Sequence, residues 1–191
     1  MNSPLSRFVE SIVRFNMMYR MPVNPAPVIT PTAERMSARL EKLKQILLDE
    51  VMEIDVVIEK AACFENNEGY RAKPGDPTYV IEPLEVLTDL ADLLGDLQVY
   101  CASEMVKFGL PVDLVLDIIM ESNFSKLGED GQPIFDTNGK LQKGPNYWKP
   151  EPRIHAVLSN FMNAHEAAEA RKNATPMPPA LGAFDPLPGT L

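Results

Sequence analysis

The sequence contains little cysteine and little histidine. It has two residues of each type among 191, which excludes a disulfide-rich scaffold and leaves little room for a His-rich metal site. Cys63 and Cys101 lack CxxC spacing, and this pattern is typical of reduced, mostly buried thiols in the cytoplasm. We therefore expect a cytoplasmic protein without disulfide bonds.

Positive charge and long apolar runs are also scarce. The chain has 18 Lys and Arg against 27 Asp and Glu, a formal net charge of −9, so no basic stripe exists to displace the counterions of a nucleic acid. The same deficit disfavours an anionic membrane surface, and no run of about 18 apolar residues occurs. Arg7, Glu10 and Arg14 interrupt the first 20 residues, which predicts no secretory signal. We expect neither a nucleic-acid polymer nor a membrane as partner.

Hydrophobic residues, by contrast, make up 45% of the chain and recur at helical spacing. The spacing predicts helices over residues 4–19, 32–65, 82–108, 111–126 and 152–173. Residues 66–81 are rich in turn formers and predict a loop. The fold class that follows is all-α, a helical bundle over residues 1–173 followed by a proline-rich tail, 174–191.

A small β-hairpin is expected after the third core helix, which is the helix predicted over 111–126. Asn138-Gly139 lies between two short segments, 133–136 and 140–142. Asn-Gly is the strongest short hairpin signal, because both turn residues must adopt positive φ.

Acidic residues form a stripe on the otherwise apolar helix predicted over 82–108. Glu85, Asp89, Asp92 and Asp96 fall within an arc of about 60° at 100° per residue. Carboxylates spaced three and four residues apart repel one another. Such a stripe needs a cation or a wide opening to water.

The preceding long helix carries a second acidic group. Asp49, Glu50 and Glu53 lie within an arc of about 100°. If the two helices pack antiparallel with these groups facing, their oxygens would form a cage of the kind that binds Mg²⁺. The alternative is that both groups are solvated helix faces.

The order of these acids resembles a known signature. Asp49-Glu50-Val-Met-Glu53 followed by Asp89-Leu-Ala-Asp92 is similar to the EExxE…ExxD signature of the all-α nucleoside triphosphate pyrophosphohydrolases. This superfamily includes MazG, the dimeric dUTPases and phosphoribosyl-ATP pyrophosphohydrolase. Two later stretches, ESNFSK at 121–126 and KGPNY at 143–147, resemble segments of MazG-like members. The resemblance covers about residues 5–152, and Asp49 and Asp89 stand where the family has Glu.

The resemblance implies a MazG-like bundle that hydrolyses a (d)NTP to (d)NMP and pyrophosphate with Mg²⁺ or Mn²⁺, including housecleaning of non-standard or pyrimidine nucleotides. By motif match, Glu50, Glu53, Asp89 and Asp92 are metal ligands and Asp96 is a further candidate. Asp49 would orient or deprotonate the attacking water. The candidate substrate-binding residues are Asn16, Asn123, Lys126, Lys143, Asn146 and Tyr147.

The resemblance also implies a homodimer or a dimer of dimers, with active sites near the interface. Two alternatives stay open at this point. One is the same superfamily with phosphoribosyl-ATP as a dedicated substrate. The other is a non-catalytic helical binding or scaffold protein, which the Asp substitutions at the motif positions and the proline-rich tail favour slightly.

Overall fold

The structure is a computed structural model that describes residues 4–174. Within this range it contains five helices: α1 (Pro4–Met18), α2 (Met36–Glu65), α3 (Pro83–Lys107), α4 (Val112–Phe124) and α5 (Glu151–Ala174). The all-α class is therefore confirmed. None of these helices combines the length and apolarity that crossing a membrane requires. The predicted tail lies outside the described residues.

The largest shift in a helix boundary is at the start of α2, which begins four residues after the predicted Thr32. The Thr32 hydroxyl accepts a hydrogen bond from the Glu34 backbone N–H at 3.1 Å. This local side-chain bond makes a turn that competes with helix initiation. Arg35 then caps the helix in an extended conformation, so the threonine ends the preceding connection rather than opening the helix.

The segment predicted as a loop contains two short strands. β1 (Gly69–Tyr70) and β2 (Tyr79–Val80) pair antiparallel, with Tyr70 opposite Tyr79. The prediction for 66–81 was therefore wrong at the ends of this segment. Turn-forming residues fill the connection between the strands, and two-residue strands are too short to show an alternating pattern.

The hairpin predicted over 133–142 is present as one bridge, between Phe135 and Leu141. Gly139 has φ +77°, but Asn138 does not adopt a positive φ, so the turn differs from the one that the Asn-Gly pair predicts, in which both residues do. The Asp136 carboxylate accepts the backbone N–H groups of Asn138 and Lys140, both at 2.9 Å. Because this side chain takes donors near the turn, the backbone ladder stays short.

The core lies where α1, α3 and α4 meet. Ile12, Ala102, Val106 and Val112 are buried there. Gly109 makes the corner between α3 and α4 at φ +66°, and a Cβ atom at this position would collide with the Ala26 carbonyl. The close approach lets the connection after α1 pass directly over the corner.

The helices α2 and α3 pack antiparallel, so the helix that carries Asp49, Glu50 and Glu53 lies beside the helix that carries Glu85, Asp89, Asp92 and Asp96. Arg39 near the start of α2 binds Glu104 near the end of α3, while Lys60 near the end of α2 binds Asp89 near the start of α3. Only Val57 of α2 is buried within the described chain.

The two cysteines are free, and Cys101 is exposed rather than buried as expected.

Candidate metal and nucleotide site

Three predicted metal ligands from α2 and α3, Glu50, Glu53 and Asp96, act electrostatically on the phenol of Tyr100. The charge of Glu50 is the main cause that raises the pKa of Tyr100 above its ordinary value. Burial, hydrogen bonding to Glu50, and the charges of Asp96 and Glu53 raise this pKa further. Since Coulomb effects decay with distance, carboxylates of both helices lie within electrostatic range of this phenol.

Within the part of the chain that the structure describes, the central carboxylates are not paired with a cationic side chain. Across residues 4–174, no ion pair involves Glu50, Glu53, Asp92 or Asp96. Glu50 is half-buried and the other three are exposed, so water and dissolved cations reach them. Like charges three or four residues apart on a helix destabilise it, and a bound cation would remove that repulsion.

Asp89, by contrast, is already neutralised. The Lys60 ammonium lies 2.6 Å from Asp89 Oδ2 and 3.0 Å from Glu85 Oε1. The hydrogen bond with Asp89 raises the pKa of Lys60 above its ordinary value, so the ammonium stays charged. The Tyr79 hydroxyl donates to Glu85 at 2.9 Å, and the hydrogen bonds from Lys60 and Tyr79 lower the pKa of Glu85.

The donor set fits a hard divalent cation in its chemistry. It consists of carboxylates with access to water, which are the ligands that Mg²⁺ prefers. In the part of the chain that the structure describes, no three acidic, histidine or cysteine side chains converge closely enough to hold an ion as they stand. Binding would therefore require rotation of exposed carboxylates about their side-chain torsions, and the metal assignments stay predictions.

Asp49, the predicted water-orienting residue, is exposed on α2 and accepts a hydrogen bond from Gln45 Nε2 at 2.7 Å. This bond leaves one carboxylate oxygen available. Asp49 lies about 100° around the helix from Glu50, so it borders the central carboxylates.

The two later motif stretches, at 121–126 and 143–147, lie against each other. Ser122 Oγ donates to the Trp148 carbonyl at 2.8 Å, and the Trp148 N–H donates to Ser125 Oγ at 3.2 Å. Gly144 N–H donates to the Lys126 carbonyl at 2.8 Å, and a Cβ on Gly144 would collide with the Leu127 carbonyl. The motifs resembling SNxSK and KGPNY therefore form one unit at the end of α4.

Candidate substrate-binding side chains lie in this unit. Lys126 Nζ donates to Asn123 Oδ1 at 2.7 Å, as expected for residues one helical turn apart. The Lys143 ammonium lies 4.3 Å from the ring centroid of Tyr147, and Asn146 is exposed. Among the described residues, no hydrogen bond or ion pair links this unit to the acidic side chains of α2 and α3.

Asn16 differs from the other candidates because it is fully buried, with 0% exposure. Its Oδ1 accepts a hydrogen bond from Ser103 Oγ at 2.7 Å, and its Nδ2 donates to the Ser103 carbonyl at 3.2 Å. Nδ2 also donates to the Pro22 carbonyl at 3.4 Å. The structure thus gives Asn16 a packing role between α1 and α3, with both ends of its amide hydrogen-bonded inside the protein.

Sequence reasoning missed Lys60 and Tyr100. A lysine on a helix is usually solvated, so nothing local singles out Lys60, and its partners are 25 and 29 positions away along the chain. Tyr100 did carry a signal, since it follows Asp96 by four residues and therefore lies on the same helix face.

Comparison with known proteins gives little beyond the fold. No protein-family model and no curated protein matches the chain. One similar solved structure is a crystal structure described as a "putative NTP pyrophosphohydrolase" from Exiguobacterium sp. 255-15. It is 20% identical with a TM-score of 0.41, and the match covers 82% of this chain and 97% of that chain. A likeness at this level does not assign an activity, so function has to be inferred from the side chains of an all-α protein with an acidic helix pair.

Proposed function

We propose that this protein is a Mg²⁺-dependent nucleoside triphosphate pyrophosphohydrolase that cleaves a (d)NTP to (d)NMP and pyrophosphate. The observation that carries the proposal is the group of carboxylates on α2 and α3 that form no ion pair with any residue of 4–174. Glu50, Glu53 and Asp96 act together on Tyr100. Phosphoryl chemistry depends on charge neutralisation and positioning more than on a protein nucleophile, which agrees with a site made of carboxylates.

Glu50, Glu53, Asp92 and Asp96 would hold the metal, together with Asp89 once Lys60 releases it. When bound, Mg²⁺ or Mn²⁺ neutralises phosphate charge and lowers the pKa of a coordinated water. Asp49 would orient the attacking water through its second oxygen, since Gln45 holds the first at 2.7 Å.

The basic and aromatic unit at the end of α4 would bind the nucleotide. Lys126, positioned by Asn123, and Lys143 supply mobile positive charge for phosphate oxygens. Tyr147, whose ring centroid lies 4.3 Å from the Lys143 ammonium, and the exposed Asn146 would contact the base or sugar. We include non-standard and pyrimidine nucleotides among the substrates to be tested.

A second copy of the chain would complete the site. No bond within the described residues joins the nucleotide-binding unit to the acidic helix pair, and several large apolar side chains of α2 are exposed: Leu48, Val51, Met52, Ile54, Val56 and Ile58. Exposed apolar surface of this extent favours association. We propose a homodimer or a dimer of dimers with active sites near the interface. Gel filtration at the monomer mass of 21.3 kDa would contradict it.

The test is incubation with a panel of (d)NTPs and phosphoribosyl-ATP in the presence of Mg²⁺, with separate detection of pyrophosphate and inorganic phosphate. Release of pyrophosphate and a nucleoside monophosphate, abolished by EDTA, is the expected result. Release of inorganic phosphate alone would indicate cleavage at the terminal phosphate and contradict the proposal. The preferred member of the panel identifies the base and sugar, and separates (d)NTP from phosphoribosyl-ATP as substrate.

A non-catalytic binding or scaffold protein is the second candidate. The observation that favours it is that no three metal-ligating side chains converge within residues 4–174. Calorimetric titration with Mg²⁺ and Mn²⁺ separates the two functions, because a scaffold would bind neither ion. A scaffold would also hydrolyse none of the nucleotides in the panel.

A further inference from the structure

An apolar groove of about 560 Å³ lies between α2, α3 and α5, beside the connection that follows α1. Its lining comes from all four of these segments and includes Val28, Ile29, Leu40, Met105, Leu158 and Met162. Ile29, Leu40 and Met162 are exposed within the described chain. Contiguous apolar surface that is open to water marks a place where another segment or molecule binds.

The polar wall of the groove needs no charged ligand. Among the described residues that line the groove, Glu104 is the one that carries a charge. Arg39 Nε donates to Glu104 Oε1 at 2.6 Å, and Lys107 Nζ lies 3.2 Å from Glu104 Oε2. Because this carboxylate is already neutralised, the groove favours an uncharged, apolar occupant over a nucleotide.

One wall of the groove leads to a segment of the chain that can reach it. The helix α5 continues from Met162 to Ala174, which is about 18 Å at 1.5 Å per residue. The sequence then continues with residues 175–191. Extended proline-rich chain spans about 3.1 Å per residue, so about six residues cover the distance back to Met162. The residues from about 181 onwards can therefore lie in the groove.

The composition of residues 175–191 suits such a groove. This segment has five prolines and one charged residue, Asp185, whereas 24% of the whole chain is charged. Leu181, Phe184 and Leu187 follow one another at intervals of three residues. Since a polyproline II helix has three residues per turn, this spacing would place the three side chains on one face. Proline-rich segments dock in apolar grooves at a low cost in conformational entropy.

We propose that residues 175–191 return along α5 and place Leu181 and Phe184 in this groove. The occupant would thus be the chain's own proline-rich segment, which would cover Cys101 and hold α5 against α2 and α3. None of the residues of α5 is buried within the described range, so the helix gains packing from the contact. The contact is independent of the proposed metal and nucleotide site, and either one can be wrong without the other.

The first experiment measures how fast N-ethylmaleimide alkylates Cys101, which lines the groove and is exposed in the described part of the chain. The full chain is compared with Leu181→Ser/Phe184→Ser. We expect Cys101 to react about tenfold faster in this variant, because the loss of two buried apolar side chains shifts the segment out of the groove. Neither substitution changes a charge, so the reactivity of the thiol is otherwise unaltered.

Two controls belong to this experiment. Thr175→Ser/Thr190→Ser changes the same segment at polar positions and should leave the rate at Cys101 unchanged. Cys63 belongs to α2 and does not line the groove, so its rate should be equal in all three proteins. Equal rates at Cys101 in all three proteins would overturn the proposal. A rate at Cys101 that falls as the protein concentration rises would also overturn it, because a second copy would then cover the groove.

A second measurement decides the case in which Leu181→Ser/Phe184→Ser does not fold. Phe184→Cys and Thr175→Cys are each made in the full chain with Cys63→Ser, which leaves Cys101 as the other thiol. A short bismaleimide should link Phe184→Cys to Cys101 within one chain of 21.3 kDa, as peptide mapping would show. Thr175→Cys, next to the end of α5, should form no such link. Absence of the Phe184→Cys link, or a link between two chains, would overturn the proposal.

Discussion

Carboxylates at the ends of the α2–α3 pair form ion pairs with cationic side chains, whereas those in the middle of the pair form none among the described residues. At one end Arg39 binds Glu104, and at the other Lys60 binds Asp89. Between them, acids from both helices act on Tyr100 with no neighbouring cation. Among residues 4–174, ion pairs therefore occur at both ends of the pair, and none involves the central acids.

Burial explains one end of the pair. Glu104 is only 5% exposed, and a buried carboxylate is costly unless it is paired and hydrogen-bonded. Arg39 Nε donates to Glu104 Oε1 at 2.6 Å, and Lys107 Nζ lies 3.2 Å from Oε2. The central acids are more exposed, so water can solvate each of them, but water does not remove the repulsion between two facing acidic helices.

The largest effect is expected in the middle of the pair. Glu50→Gln and Asp92→Asn should each lower the rate of pyrophosphate release about 100-fold or more, because each removes a charge that the metal needs. The matched control is Glu59→Gln, which lies about 180° around α2 from Glu50 and should retain activity. Equal rates in all three variants would show that the central acids are only a solvated surface.

At the buried end, Arg39→Met should lower the free energy of unfolding by about 2 kcal/mol in urea denaturation. The loss stays below the full cost of an unpaired buried charge, because Lys107 remains 3.2 Å from Glu104. Lys172→Met breaks an exposed pair with Glu169 on α5 and should cost less than about 0.5 kcal/mol. Similar losses in the two variants would contradict the role of burial.

The pH dependence of stability should also report on Glu104. Burial alone raises the pKa of Glu104, but the hydrogen bond from Arg39 and the charges of Lys107 and Arg39 outweigh it and hold this pKa below its ordinary 4.5. Because the folded-state pKa is depressed, the stabilisation is complete above about pH 4.5 and is lost as the pH falls through the lower folded-state value.

Thermal unfolding between pH 6 and pH 3 measures this loss. Glu104→Gln cannot titrate, so its melting temperature should fall less steeply below about pH 4.5 than that of the unaltered protein. The melting temperature of Glu104→Gln will still fall somewhat with pH, since hydrogen bonds also lower the pKa values of Glu85 and Glu169. If the melting temperatures of the two proteins fell equally steeply with pH, Glu104 would not be the cause of the loss of stability.

The smallest effect concerns Tyr100 itself. Glu50→Gln should bring the pKa of Tyr100 down towards its ordinary value, because the Glu50 charge is the main cause of the increase. Tyr79 is the internal control, since the hydrogen bond with Glu85 is the main cause that raises its pKa. Titration of ¹³C-labelled tyrosine by NMR measures both, and an unmoved Tyr100 would show that Glu50 does not face it.

Local patterns were enough to predict most of the fold. Helical periodicity placed all five helices of the described chain to within a few residues, because each amphipathic pattern is read from neighbours three and four positions apart. The start of α2 and the β1–β2 hairpin were missed, since a single hydroxyl bond and two-residue strands leave no periodic trace.

The candidate site was predictable only in part, for the same reason. The acidic stripes and the Asn123–Lys126 pair follow from spacing along one helix. The packing role of Asn16 depends on Ser103, 87 positions away, and Lys60 meets Asp89 across 29 positions. A local sequence pattern does not predict contacts between residues that are so far apart in the chain.

The sequence by itself determined that this is an acidic, all-α protein with carboxylate stripes on two helices, because composition and helical spacing are local properties. Tertiary structure alone decided which of those carboxylates are neutralised. The antiparallel register of α2 against α3 puts Lys60 at Asp89 and Arg39 at Glu104, and leaves Glu50, Glu53 and Asp96 without an ion pair among residues 4–174. That register is set by packing between segments far apart in the chain.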